Sequence, residues 1–295
     1  MNEPVVSIII PAFNRATLIT ETLESVYEQQ YKFIELIVVN DGSSDATFSV
    51  VNKWFEKKGD RFVRAICHSF NKNKGKSEAV NYGFSICNGE YIMILDSDDI
   101  LIHQAIKTEV EFLKNHPTVG AVFAGAYLLD NRTKTDVLIH TTQYQESFEN
   151  VRLAYGDILL KGNCIVSSTV MMKKIIISNI GQFRNDLHYT HDLDYWIRIA
   201  TKYNFGYVNT PILYYRKNVG DGSSLQLQKT FYEILQLLNE NIQHYTFAKI
   251  IRAILFQTKF HFLLSRTINP ASPSVLLIVI GLKSILKYIF TGKLV

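Results

Sequence analysis

Only three cysteines occur in 295 residues, Cys67, Cys87 and Cys164. An odd number cannot pair fully, and no two stand in a Cys-x-x-Cys spacing. Neither a disulfide framework nor a thiolate zinc site is therefore encoded, and the thiols read as reduced, in a cytosolic protein. The opening MNEPVVSIIIP lacks the basic start and cleavage site of a signal peptide. No apolar run reaches the roughly 20 residues of a membrane-spanning helix. No Gly-x-Gly-x-x-Gly follows the first apolar run, which removes a classical NAD fingerprint. Gly75-Lys76-Ser77 is not a Walker loop, because the position five before Gly75 is Phe70 rather than glycine. Net charge is only +4, so no nucleic-acid partner is expected. Hydrophobic residues at 47% against 20% charged exclude wholesale disorder and suit one large globular domain or two fused ones.

What is present alternates. Residues 5–11 (VVSIIIP) form a β-branched apolar run, as expected of a strand buried on both faces. Helical spacing follows over 18–30, a second buried strand over 34–40, and a turn-rich loop, Asp41 to Asp45, leading into a helix over 46–57. Further strands are predicted over 62–67 and 91–95, with a helix over 77–87 between them. This β-α-β-α order predicts a doubly wound α/β domain. Beyond it we expect a helix over 101–115, a strand over 119–129, a loop or hairpin over 130–145, a strand over 165–172 and a helix over 192–203. Ligands of such sheets sit at the carboxyl ends of the strands. Polar clusters occupy three of those ends: Ala12-Phe13-Asn14-Arg15, Asn40-Asp41 and Asp96-Ser97-Asp98-Asp99.

The last quarter differs. Residues 226–295 hold eight Lys or Arg and two acids, 8 − 2 = +6, whereas 1–225 hold 23 − 25 = −2. Helices are predicted over 225–245, 247–265 and 274–291. In the second, Lys249, Arg252, Lys259 and Arg266 fall three or seven apart and share a face. Two readings stand: a helical appendix packed on the core with a solvated basic face, or an interfacial pair lying on anionic lipid through 247–291.

Asp96 and Asp98, at i and i+2 after a buried strand, can face a divalent cation and its phosphate ligands. An Asp-rich turn can equally solvate a strand end and cap the next helix. Asp41 lies on the crevice side and can accept from a base or ribose, while Ser43, Ser44 and Asp45 read as turn and cap. Lys76 is a phosphate neighbour or a solvated lysine at a helix start. Asp192 is a helix cap or a general base, with Trp196 as an apolar wall.

Together these segments resemble the family 2 glycosyltransferases of GT-A fold: VSIIIPAFNRATLITETLESVYEQQY, then ELIVVNDGSSDAT, then NKGKSEAVNYGFSICNGEYIMILDSDD, in order, with HDLDYWIRIA and LYYRKNVGDGSS further on. The resemblance implies a mixed, mostly parallel doubly wound sheet and an inverting, metal-dependent transferase using Mn2+ or Mg2+. The donor would be a nucleotide-sugar, by family habit a UDP-sugar, and the acceptor a glycan or lipid-linked hydroxyl of surface polysaccharide synthesis at the inner face of the plasma membrane. It carries donor binding onto Ala12, Phe13 (base stacking), Asn14, Asp41 (base) and Asp96 (ribose and metal), the metal onto Asp96 and Asp98, and the general base onto Asp192. Lys76 joins the donor set as a phosphate neighbour. The expected organisation is a catalytic domain over 1–224, with a nucleotide-sugar half (1–104) and an acceptor half (105–224), and a basic amphipathic helical extension over 225–295. Two departures stand out. His191 precedes Asp192 where the family has Glu, and Lys217-Asn218 follow Tyr215-Arg216 where it often has a histidine. The rival reading is a non-catalytic nucleotide-sugar-binding or scaffold protein. A nucleotidyltransferase is disfavoured because PAFNRAT contains no glycine.

Overall fold

The computed structural model describes residues 3–129, 137–139, 165–216 and 226–241, and beyond these only residues 250, 251, 254, 255, 258, 259, 281, 284, 285, 287, 288 and 291. Elements follow in chain order: β1 (Val6–Ala12), α1 (Ile19–Tyr27), β2 (Ile34–Asn40), α2 (Thr47–Lys58), β3 (Arg64–Ser69), α3 (Lys76–Ile86), β4 (Tyr91–Ile94), β5 (Ile100–Leu101), α4 (Ala105–Asn115), β6 (Val119–Leu129), β7 (Val137–Ile139), β8 (Met171–Lys173), α5 (Ile175–Ile180), α6 (His191–Lys202), β9 (Asn204–Arg216) and α7 (Leu227–Glu240).

Two compact units are formed, one from Met1–Arg152, Ile165–Asn185 and Ile199–Val219, the other from Leu153–Cys164, Asp186–Arg198 and Gly220–Val295. The first holds a mixed sheet in the order β3-β2-β1-β4-β8-β6-β9-β5, with β7 on β6. Strands β3, β2, β1 and β4 are parallel, as are β6 and β9, while β8, β5 and β7 run against their neighbours. Every residue of β1 and β2 is buried, which explains why their runs are apolar save for Ser7, Glu35 and Asn40. Alternate side chains serve opposite faces. Ile8, Ile10, Leu36 and Val38 join α1, α2 and α4 in one cluster through Leu23, Trp54 and Val110. Ile9 points the other way, to α3, where a Cβ on Gly83 would come within 2.5 Å of it. Helices therefore cover both faces. Strand β1 has β2 on one side and β4 on the other, so the loops after these three strands open at the topological switch point.

Strands 34–40 and 119–129 have the expected bounds. Others do not. In 165–172, residues Ser167–Thr169 form a 3-10 turn and the strand begins at Met171; Thr169 Oγ1 donates to the Val166 carbonyl at 2.8 Å, a local bond that competes with strand pairing. Residues 100–101 pair antiparallel with β9, so helix α4 starts only at Ala105. The short helix α5 and the long strand β9 were not anticipated. Residues 217–218, most of 130–145 and most of the two last predicted helices lie outside the described residues.

In the second unit, α7 buries Phe231, Ile234, Leu235, Leu237 and Leu238. Ile250, Ile254 and Thr258, four apart, are buried while Leu255 and Lys259 are exposed, so these described helical residues present one apolar line inward. Among the described residues no helix is long and apolar enough to cross a membrane.

Candidate active site

The loops after β1 and β2 are laced together. Asn14 takes a left-handed conformation (φ 52°), which asparagine tolerates better than most residues. Its N–H donates to Ser43 Oγ (2.9 Å) and its Oδ1 accepts from the Ser44 N–H (2.9 Å). The Arg15 N–H reaches Thr47 Oγ1 (2.7 Å) and the Ala16 N–H reaches Asp45 Oδ2 (3.0 Å). Burial alone would raise the Asp45 carboxyl, but the bonds from Thr47 and Ala16 hold it below its ordinary value. Ser43, Ser44 and Asp45 thus serve the loops, as expected. Phe13, beside them, keeps 42% of its surface exposed. A ring left exposed at a strand end can stack on a planar ligand.

Asp41 is nearly buried. Its N–H donates to the Ala12 carbonyl (2.8 Å), and its two oxygens accept the Lys74 and Gly75 amides at 2.7 and 2.9 Å. Burial pushes its carboxyl up, against those two bonds. The carboxylate thus fastens the turn that leads into α3. Gly42 makes the approach possible: its φ is +65°, and a Cβ there would lie 2.3 Å from the Lys72 carbonyl carbon. Nearby, His68 stacks on Tyr82 at 3.9 Å, and Lys74 Nζ sits 4.2 Å above the Phe70 ring. Sequence reasoning overlooked this aromatic group, having weighed the NKGKS segment, residues 73–77, only for phosphate.

Lys76, the first residue of α3, meets Asp96 (Nζ–Oδ1 2.5 Å). Arg15 Nε faces Asp98 Oδ2 at 3.4 Å, while its Nη1 lies 3.2 Å from the carbonyls of Phe13 and Asn14. Two cations from two other elements therefore meet the two carboxylates. Burial, then the neighbouring Asp96 charge, raises the Asp98 carboxyl, and Arg15 and Lys76 oppose this. The first unit thus brings together Ala12, Phe13, Asn14, Asp41, Lys76, Asp96 and Asp98, at the ends of β1, β2 and β4 and the start of α3. Sequence reasoning placed Arg15 in the Ala12–Arg15 cluster but assigned it no role; the structure sets it against Asp98.

One or two carboxylates completed by phosphate oxygens suit Mg2+ or Mn2+. Among the described residues no group of three or more His, Cys, Asp or Glu side chains could hold a metal by itself, and Asp99 is buried and bonded elsewhere. Asp96 and Asp98 accordingly fit a hard cation in company with a phosphate-bearing ligand. The Cys67 thiol, pushed up to about 12 by burial, is unsuited to bind metal as thiolate.

Asp192 belongs to the second unit, in the first turn of α6. Its Oδ1 accepts the Leu193 N–H at 2.7 Å. Asp194 is held by Arg198 through Nε and Nη2, both at 2.8 Å. The turn before the helix is gripped by Glu233 of α7, whose carboxylate accepts the N–H groups of His188, Tyr189 and Thr190 and the Thr190 hydroxyl, all at 2.9 Å. Three amides at a helix start and one carboxylate make a strong charge-assisted cap. Nothing in the sequence spacing points to Glu233.

Comparison with known proteins adds the family. The profile of Glycosyl transferase family 2 matches residues 7–177. An uncharacterized glycosyltransferase of Rickettsia typhi is 31% identical over 204 residues, 68% of this chain and 61% of that protein; the chain thus spans about three fifths of that relative. The Escherichia coli UDP-Glc:alpha-D-GlcNAc-diphosphoundecaprenol beta-1,3-glucosyltransferase WfaP is 31% identical over 225 residues, 74% of this chain and 80% of WfaP. Among solved structures, S. aureus TarS 1-349 in complex with UDP-GlcNAc superposes with a TM-score of 0.69 at 19% identity, covering 96% of this chain and 81% of TarS. The Pyrobaculum calidifontis mannosyltransferase PcManGT, bound to GDP-Man and Mn2+, gives 0.66 at 19% identity, covering 99% and 82%. At these identities the structures share the fold alone.

Proposed function

The chain belongs to glycosyl transferase family 2, and from that premise we propose that it moves a sugar from a UDP-sugar to a hydroxyl of a glycan or lipid-linked acceptor, with inversion, in surface polysaccharide biosynthesis. The observation that carries this reading is the meeting of Phe13, Asp41, Lys76, Asp96 and Asp98 at the switch point of the sheet. Phe13 offers its exposed ring to the base, and Asp41 fixes the turn bearing Lys74 and Gly75 beside it. Mn2+ or Mg2+ held by Asp96 and Asp98 would offset charge on the leaving diphosphate. Lys76 and Arg15, which meet those carboxylates in the free protein, are placed to turn to the diphosphate instead. Asp192 accepts the proton of the attacking hydroxyl, a contribution of about 10²–10⁴-fold. UDP is favoured by the UDP-Glc glucosyltransferase WfaP and by TarS in complex with UDP-GlcNAc; PcManGT, with GDP-Man, is the counter-example.

The test is one panel. Binding of a series of nucleotide sugars, UDP-sugars and GDP-Man among them, is followed by saturation-transfer NMR with Mg2+ present, and donor turnover by release of the nucleoside diphosphate. Asp98→Ala should lose the metal-dependent part of binding. Asp192→Asn should keep donor binding and lose turnover by about 10²–10⁴-fold. Binding of no nucleotide sugar by the wild type would sink the transferase reading, and full turnover in Asp192→Asn would remove the assigned base. The surplus of +6 over residues 226–295 supports a place on anionic lipid at the inner membrane face; absence of co-sedimentation with phosphatidylglycerol vesicles at low salt would refute it.

A further inference from the structure

The Asp96–Asp99 turn is held from its inner side by two residues far away in the chain. Ser168 Oγ accepts the Asp96 N–H at 3.1 Å. Its single proton is then free for Asp99 Oδ2, 2.6 Å away. Arg216 is the last residue of β9. Its backbone N–H donates to Asp99 Oδ1 (3.0 Å), its Nε–H to the Asp98 carbonyl (2.9 Å) and its Nη2 to Glu21 (2.5 Å). Ser168 and Asp99 are 1% exposed and Arg216 is 8% exposed. The turn is thus fixed at the Asp96 amide, the Asp98 carbonyl and the Asp99 carboxylate, while the Asp96 and Asp98 side chains meet Lys76 and Arg15. Both Asp99 oxygens accept, so this carboxylate serves the turn rather than a ligand.

We propose that Ser168, Asp99 and Arg216 are positioning residues that aim the Asp96 and Asp98 carboxylates at the divalent cation and the donor diphosphate. The proposal rests on the reading of Asp96 and Asp98 as the metal-holding pair. Two carboxylates on a free tetrapeptide turn would sample many directions and lose entropy on binding. Held at three of the four residues, they lose much less. Donor sites of this kind need their groups held within about 0.5 Å, and removal of such supporting contacts typically costs about 10–100-fold in metal affinity.

The test uses the full chain, with Mn2+ and UDP as probes. Mn2+ affinity in the presence of UDP is read by electron paramagnetic resonance, UDP affinity by calorimetry, and stability by urea denaturation. The variants are Ser168→Ala, Arg216→Lys and Asp98→Ala, with Ser7→Ala as the structural control. Ser7 is equally buried, and its hydroxyl serves Glu35 at the opposite ends of the strands. Ser168→Ala should weaken Mn2+ binding by about 10–100-fold. Arg216→Lys keeps the charge and the backbone N–H and loses the Nε–H bond to Asp98, so it should weaken binding in the same sense. Ser7→Ala should lose stability and keep Mn2+ affinity within about two-fold. Wild-type affinity in both Ser168→Ala and Arg216→Lys overturns the proposal, as does an equal loss of affinity in Ser7→Ala. Wild-type binding of UDP that ignores Mn2+ and survives Asp98→Ala overturns the underlying metal reading, and the proposal with it. Should Ser168→Ala fail to fold, Arg216→Lys decides.

Discussion

The two ends of the parallel strands treat buried acids differently. At the amino ends Glu35, 1% exposed, accepts from the Ser7 hydroxyl, Arg64 Nη1 (2.9 Å), the Asn88 N–H (2.8 Å) and Asn88 Nδ2 (3.4 Å). Ser7 Oγ in turn accepts the Gly89 N–H at 2.8 Å. One carboxylate there ties together β1, β2, β3 and the entry to β4. At the carboxyl ends three carboxylates crowd into four residues. Only Asp99 is served from within. Asp98 is raised by burial and by its neighbour Asp96, and relief comes from two partly exposed cations. The amino end is a closed network in which the acid's donors come from the surrounding strands and loops. The carboxyl end keeps negative charge directed at side chains that can move away. Negative charge crowded at a strand end and balanced only by partly exposed cations is the pattern that perturbed carboxylates of binding sites show more often than structural ones.

The sharpest way to break this comparison is Glu35→Ala. It strips the acceptor from the Ser7 hydroxyl and the Asn88 amide and leaves Arg64 without its carboxylate. Arg64 keeps 36% of its side chain exposed, so the loss comes chiefly from the buried Ser7 hydroxyl left without its acceptor, about 1–3 kcal/mol, read as a lower urea midpoint. The affinity of the chain for Mn2+ with UDP should stay at the wild-type value. A joint fall would mean that the two ends communicate through the strands, and the division into a stabilising end and a binding end would be wrong.

Much of this was legible in the sequence where the signal is local. Residues 34–40 and 119–129 are apolar runs bounded by turn formers, and their bounds are those of the strands. Phe13, Asn14, Asp41, Asp96 and Asp98 stand just past strand ends, and Lys76 at a helix start, as motif order suggested. Other features depend on partners that spacing cannot supply. The chain DSDD does not say which aspartate turns inward; Asp99 does so because Ser168, 69 residues on, and Arg216, 117 residues on, receive it. The grip of Glu233 on residues 188–190 comes from a helix more than 40 residues later. Residues 165–172 look like a strand by composition, and side-chain hydroxyls fold part of them into a turn.

Another buried acid sharpens the comparison by having no hydrogen-bond donor among the described residues. Glu109 lies on the inner face of α4 with Ala105, Ile106, Val110 and Leu113, fully buried. Neither of its oxygens has a hydrogen-bond partner among the described residues. Burial alone drives its carboxyl well above the ordinary 4.5, because the charged form loses its water and gains no donor among the described residues. The sign of its pH effect follows. Above pH 4.5 the unfolded chain releases this proton while the folded chain keeps it, so the folded state binds more protons and stability falls as pH rises. The full contribution is present below 4.5 and is lost progressively up to the folded value, with a slope of at most about 1.4 kcal/mol per pH unit. Glu109→Gln has nearly the same shape and no proton to lose. Between pH 5 and pH 8 the urea midpoint of the wild type should therefore fall relative to that of the variant, the two being most alike at the acid end. Parallel profiles would mean that Glu109 is ionised and has found a donor, and that burial without partners does not decide the charge state of an acid in this core.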